Sequence, residues 1–156
     1  IAIWGNRDYG GGAVKEYANI MAESDFSLLR NENQVFTLDN GKKILFTGLD
    51  DALLGNPQFP SPNQMAETSY DILLTHEPDE VSQYQNKGYE LILSGHSHGG
   101  QIRIGNWRLR NKGSSSADAG LYQRNDRTKL YVNRGIGLTF LPIRFGVPPE
   151  IVYYYI

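Results

Sequence analysis

At 156 residues, 40% of them hydrophobic and 21% charged, the chain has the material for one compact domain with its own core. A formal net charge of −2, with no long run of lysine or arginine, excludes a general nucleic-acid-binding surface, so no nucleic-acid partner is expected. The lack of cysteine rules out disulfide scaffolds and thiolate metal sites, and no 18-residue apolar stretch marks a transmembrane segment.

Ile1 to Trp4 is apolar and partly β-branched and reads as a buried strand, broken by Gly5-Asn6-Arg7-Asp8-Tyr9 and a glycine triplet that predict a tight loop. The chain has no initial methionine and opens inside that strand, so its native start is expected upstream. Ala13 to Ala22 places Val14, Tyr17, Ala18 and Met21 at helical spacing, which predicts an amphipathic helix lying on a sheet. Phe26 to Leu29 is a candidate short strand. Gln34 to Leu38 and Lys43 to Gly48 flank Asp39-Asn40-Gly41, an Asn-Gly turn that favours a hairpin. Asp50 to Asn63, carrying Pro57, Pro60 and Pro62, reads as an irregular connection, because proline cannot donate to a strand ladder.

Two further apolar strands follow, Tyr70 to His76 and Tyr89 to Ser94, with a helix expected between them from Asp79 to about Lys87, stopped by Gly88. This strand and helix alternation argues for a largely parallel α/β core. Gln101 to Ile104 and Trp107 to Leu109 suit a hairpin around Gly105-Asn106. Asn111 to Gly120, small and polar, reads as a surface loop. Leu130 to Asn133 and Ile151 to Ile156 are the last expected strands. A half-buried strand explains Tyr153-Tyr154-Tyr155 more simply than a stacking platform for bases or sugars.

Three strands thus end in residues able to bind metal: Asn6 after the first, His76 after the second, His96 and His98 after the third. In an open α/β sheet the carboxyl ends of strands meet at one edge, where distant side chains can converge. An extended segment points residues two apart in the same direction, so His96 and His98 can approach one cation region. Imidazole suits zinc, iron, nickel or manganese.

Gly5-Asn6-Arg7-Asp8, Leu74-Thr75-His76-Glu77-Pro78-Asp79 and Ser94-Gly95-His96-Ser97-His98-Gly99-Gly100-Gln101 resemble the later motifs of the calcineurin-like metallophosphoesterases, the Gly-His-x-His element being the most specific. Tyr131 to Gly137 and Pro142 to Ile151 resemble the tail of the bacterial YkuE-type branch, so the likeness covers nearly the whole chain. The resemblance implies an α/β fold of mixed β-sheets stacked face to face with helices outside. It implies two divalent ions (Mn, Fe, Zn or Ni), one held by Asn6, His76 and His96 and the other involving His98. The substrate class is a phosphomonoester, phosphodiester or pyrophosphate, on a small-molecule or lipid-like partner. Gly99, Gly100 and Gln101 are expected to support the substrate loop.

Two departures from the family pattern stand out. Its early Asp-x-His and Gly-Asp-x-x-Asp motifs are absent, and Asn6 with three neutral imidazoles brings no negative charge to offset two dications. Asp8 is expected to orient a neighbour rather than bind metal, so carboxylates are expected from elsewhere, and the chain is read as the C-terminal portion of one domain. Arg7 also stands where the family carries histidine. Guanidinium can stabilise phosphate charge but cannot donate a proton near neutrality. Arg7 and Asp8 are accordingly the candidate catalytic residues; if Asp8 pairs with Arg7, the two form a fixed ion pair rather than a tuned acid. The rival reading is a catalytically weakened metal- and anion-binding domain on the same scaffold. The compartment is left open.

Overall fold

The computed structural model describes residues 1–10, 13–60 and 67–155. Gly11, Gly12, Pro62, Asn63 and Ile156 lie outside the described residues, so the last two glycines of the triplet, the end of the 50–63 connection and the last residue of the expected C-terminal strand are not described. The architecture is α/β, with mixed sheets and few helices, as expected.

The chain opens with β1 (Ala2–Ile3), a single helical turn α1 (Asn6–Tyr9) where a loop was expected, α2 (Val14–Glu23) and β2 (Leu28–Leu29), which pairs parallel with β1. β3 (Glu32–Thr37) and β4 (Lys43–Gly48) form the expected antiparallel hairpin. Gly41 at its tip has φ +79°, and Asn40 Oδ1 accepts the Lys42 N–H at 3.0 Å. β5 (Tyr70–Leu74), α3 (Val81–Tyr84), β6 (Leu91–Ser94), β7 (Arg103–Ile104), β8 (Trp107–Arg108), β9 (Gly120–Gln123) and β10 (Lys129–Val132) complete the order.

The main sheet has six strands in the order β3-β4-β5-β6-β10-β9. Its four central strands run parallel, and its two edge strands run antiparallel. Period-two alternation sorts its side chains. Leu73, Ile92, Leu130 and Val132 enter a core shared with Leu49, Val81, Tyr84 and Tyr89. Ile44, Ile72 and Leu91 face the other way, beside Phe46, Leu74, Leu93 and Tyr131. The register sets Leu74 opposite Leu93 and Val132 opposite Ser94, so β5, β6 and β10 end level and the residues beyond them share one edge.

Several expectations need correction. α2 carries the expected helix but buries no residue. Its contribution is Tyr17, whose hydroxyl donates to the Ile3 carbonyl at 2.8 Å and whose ring packs edge-on against buried Trp4. The helix expected over 79–87 is shorter: a 3₁₀ turn Pro78–Glu80 leads into α3, and the chain leaves the right-handed region at Gly88, φ +100°. The polar segment 111–120 is not a surface loop throughout, since Ser114, Ala117 and Asp118 are buried. Small side chains let it enter the fold because internal hydrogen bonds satisfy it, with Asp79 accepting from the backbone and hydroxyl of Ser115 and from the backbone of Ser116. Those bonds hold the Asp79 carboxyl at about 2, against the opposing effect of its burial. The tyrosine run forms no strand: Tyr153 and Tyr155 are exposed and Tyr154 packs edge-on against Tyr131.

Candidate metal centre

Asn6 is delivered by the smaller sheet. β1 leads into α1, whose first turn is closed by Asp8 Oδ2 accepting the Gly5 N–H at 2.8 Å. Burial raises the Asp8 pKa, which that backbone bond opposes. Tyr9 at the end of the same turn donates its hydroxyl to Asp50, which also accepts Arg30 Nε at 3.0 Å and the Asn56 N–H at 3.0 Å. Asp8 therefore closes the backbone of its own turn, and an Arg7–Asp8 pair is not among the ion pairs of the described residues. The Arg7 guanidinium instead lies over the Phe140 ring, 4.9 Å from its centroid.

The histidines come from the main sheet. Beyond β5, the His76 carbonyl accepts the Gly95 N–H at 3.2 Å and the Ser94 hydroxyl at 2.8 Å, which ties the two strand ends together. Beyond β6 the chain does not stay extended. His96, His98 and Gln101 have φ of 61°, 51° and 54°, the left-handed region that costs a non-glycine residue roughly 1–2 kcal/mol. Both histidines still line one cleft, carried there by this turned backbone rather than by the alternation of a strand.

The convergence is close. His76 Nε2 lies 3.1 Å from Asn6 Oδ1 and 3.1 Å from His96 Nδ1. Ligands about 2.0–2.1 Å from a tetrahedral ion stand roughly 3.3 Å from one another, so His76 Nε2 stands at ligand spacing from both Asn6 Oδ1 and His96 Nδ1. His96 Nε2 approaches the Lys112 carbonyl at 2.7 Å, a bond that fixes its ring and leaves Nδ1 facing His76. His98 sits beside Arg144, whose Nη2 is 3.4 Å from its Nδ1. Burial lowers the His76 pKa to about 4, helped by the neighbouring His96, and burial lowers that of His98. Both rings are therefore neutral near pH 7, the form that binds metal. The open cleft, about 370 Å³, is lined by Asn6, Arg7, His76, His96, His98 and Phe140 among others.

Glu77 was missed in the sequence, and it amends the charge count. Its carboxylate belongs with His76 and His96 in a group whose ligand atoms all lie within 4.8 Å of one another. Alternation would have turned it away from His76, but β5 ends at Leu74 and the chain bends into Pro78. Glu77 is buried, its Oε2 accepts the Ala52 N–H at 3.1 Å, and Oε1, 4.0 Å from His96 Nδ1, has no hydrogen-bond partner in the unprotonated state. Burial raises its pKa to about 8, assisted by a hydrogen bond with the Asp51 carboxyl that requires one of the two to be protonated. Once ionised, this buried carboxylate beside the His76 and His96 rings gives the donor set a divalent cation fits.

Two expected results follow from this geometry. Between about pH 6.5 and 8, folded Glu77 keeps a proton that the unfolded chain has released, so metal-free protein should lose stability as pH rises. His76, neutral when folded and charged when unfolded, acts in the opposite sense between about pH 4 and 6.5. Thermal melts in chelator from pH 6 to 9 should show the decline, and Glu77→Gln should flatten it. Gly5→Ala probes the second wall of the site, because a β-carbon there would lie 2.7 Å from His76 Cε1 and 2.9 Å from Nδ1. The ring must move off the Asn6–His96 line, and affinity for a divalent ion should fall by about 10–100-fold, as when a supporting group is lost. Competition against a metal-sensitive dye measures it.

No family model matches the chain. It is 37% identical to the metallophosphoesterase YkuE of Bacillus subtilis over 99% of its own length and 54% of that protein. It is 29% identical to the metallophosphoesterase YkoQ of the same organism, over 99% of this chain and 59% of that one. To the UDP-2,3-diacylglucosamine pyrophosphatase LpxG of Chlamydia trachomatis it is 32% identical, over 85% of this chain and 42% of that one. The chain thus spans about half the length of the curated relatives it matches. Among solved structures, the NAD nucleotidase of Haemophilus influenzae matches with a TM-score of 0.53 at 15% identity, over 85% of this chain and 33% of that one, a likeness of fold.

Proposed function

We propose, from the premise that this chain belongs to the metallophosphoesterases of the YkuE type, that its histidine cleft binds divalent metal and serves the hydrolysis of a phosphoester. The carrying observation is that His76 Nε2 lies 3.1 Å from both Asn6 Oδ1 and His96 Nδ1, groups carried by two separate sheets to one cleft. Asn6, His76 and His96, with Glu77 as the anionic member, would hold one ion, and His98 across the cleft would serve a second. Bound there, divalent ions supply charge for the phosphate and lower the pKa of water.

The protein's own residues carry the rest of the chemistry. Arg7, lying over the Phe140 ring, presents a permanent positive charge to a phosphate entering the cleft. Because it cannot give up a proton, the substrates best served are those whose leaving group departs as a stable anion. Asp8 fixes the backbone turn that carries Asn6 and Arg7, so its effect reaches the cleft through them. The likeness to LpxG, a pyrophosphatase, supports pyrophosphate as one bond class, beside phosphomonoesters and phosphodiesters.

The test strips the protein of metal, reloads it separately with manganese, iron, zinc or nickel, and follows an aryl phosphodiester together with metal content. Metal-dependent turnover that chelator abolishes and reloading restores is the expected result. Two bound ions per chain would support the dinuclear form and one would restrict the proposal to Asn6, Glu77 and the first two histidines. Failure to retain any ion would overturn it.

A further inference from the structure

Around the mouth of the cleft the surface changes character. Residues 98–112 and 134–147 carry six arginine or lysine residues and no aspartate or glutamate, in a chain whose net charge is −2. On the same two segments large apolar side chains stand in solvent: Phe140, Ile143 and Phe145 on one, Ile104, Trp107 and Leu109 on the other, with Phe140 88% and Trp107 57% exposed. The segments are neighbours, since the Arg103 N–H donates to the Phe145 carbonyl at 2.8 Å and the Phe145 N–H donates to the Gln101 carbonyl at 3.0 Å.

This is an ordered display. Buried Gln101 donates through Nε2 to the carbonyls of Leu141 and Ile143, at 2.7 and 3.0 Å, and accepts through Oε1 the N–H and hydroxyl of Thr139, at 2.8 and 2.7 Å. Arg144 donates to the carbonyls of Arg134, Gly135 and Gly137. With its polar groups drawn inward, the loop turns its apolar side chains out. An interior would have collected them if collapse were available.

We propose that this rim docks the protein on an anionic lipid bilayer, with the aromatic and aliphatic tips entering the interface. Arg110 and Lys112, which make no ion pair among the described residues, would face the headgroups. The charge distinguishes this occupant: Asp118 pairs with Arg103 and Arg108, and Glu150 with Arg134, but Arg110 and Lys112 stay outside those pairs beside the projecting apolar tips, and such cations next to exposed aromatic and aliphatic groups complement anionic lipid. Docking does not depend on the cleft holding metal, so the proposal stands apart from the hydrolase reading and is tested without turnover.

The experiment is flotation of the metal-free protein with vesicles of phosphatidylcholine alone or with one-third phosphatidylglycerol, alongside tryptophan fluorescence. Of the two tryptophans, Trp4 is buried and Trp107 exposed, so a lipid-induced blue shift reports on the rim. Binding should require phosphatidylglycerol, weaken with salt, and fall by about tenfold or more in Phe140→Ser/Ile143→Ser. Ile20→Ser and Leu121→Ser, exposed elsewhere, should bind as the parent does. No partition into anionic vesicles, or partition that the rim variant and the two controls share equally, would overturn the proposal. So would a concentration-dependent dimer that Phe140→Ser/Ile143→Ser dissociates in the absence of vesicle binding, since the rim would then belong to a second copy of the chain.

Discussion

Replacing Arg7 by histidine is expected to change which esters are cleaved more than how well the protein folds. An imidazole titrating near neutrality can donate the proton that guanidinium withholds, and general acid catalysis is typically worth about 10²- to 10⁴-fold. Alkyl phosphates, whose leaving groups need that proton, should gain most of the factor, and aryl phosphates far less. The measurement is the ratio of the two rates in Arg7→His and in the parent under identical metal loading. Taking a ratio cancels changes of occupancy common to both substrates, including any caused by losing the contact with Phe140. An unchanged ratio would show that protonation of the leaving group does not occur at this position.

His96→Ala should have the second large effect. His96 stands at the centre of the cluster, Nδ1 3.1 Å from His76 and 4.0 Å from Glu77, its other nitrogen anchored 2.7 Å from the Lys112 carbonyl. Removing an outer-shell partner of a metal ligand costs about 10–100-fold in affinity, and removing the ligand itself should cost at least that. Titration with zinc or manganese against a chelating dye checks it. The far-UV spectrum should stay near that of the parent, because position 96 lies beyond β6 and supports no strand pairing. A variant that binds metal as tightly as the parent would remove His96 from the site.

The strands that frame the cleft were legible because β5 and β6 are largely buried on both faces. Ile72, Leu73 and Ile92 are all essentially inaccessible, so β5 and β6 read as apolar runs that stop where the histidines begin, and β10 carries inaccessible Leu130 and Val132 beside them. β9 was not legible, since it is an edge strand of four residues with Leu121 and Gln123 in solvent, and its pairing with β10 is set by the tertiary fold. The tyrosine run failed for the opposite reason: strand-forming residues with no neighbouring strand to pair with stay unpaired. At the site, residue types and strand ends pointed to Asn6, His76, His96 and His98, whereas Glu77 depended on a bend just past β5 that periodicity does not encode. The left-handed backbone of His96 and His98 was equally invisible, because nothing in the side chain of histidine requires it.

The division of the site between two sheets also sets an order of events in time. Asn6 rides on the short β1–β2 unit with α2, a helix that buries none of its residues, while the histidines sit at the ends of the best-buried strands of the chain. Segments with so little buried surface open first, so the backbone amides of residues 1–10 and 13–30 should exchange with deuterium well before those of β5, β6 and β10. Each such opening would take Asn6 away from His76 and leave the imidazoles in place. An ion bridging Asn6 and His76 binds only the closed form, and its presence should slow exchange across residues 1–10 and 13–30 while hardly touching the central strands. The cleft would then act as a clasp, with occupancy at one edge of the main sheet recorded as protection in a sheet it does not belong to.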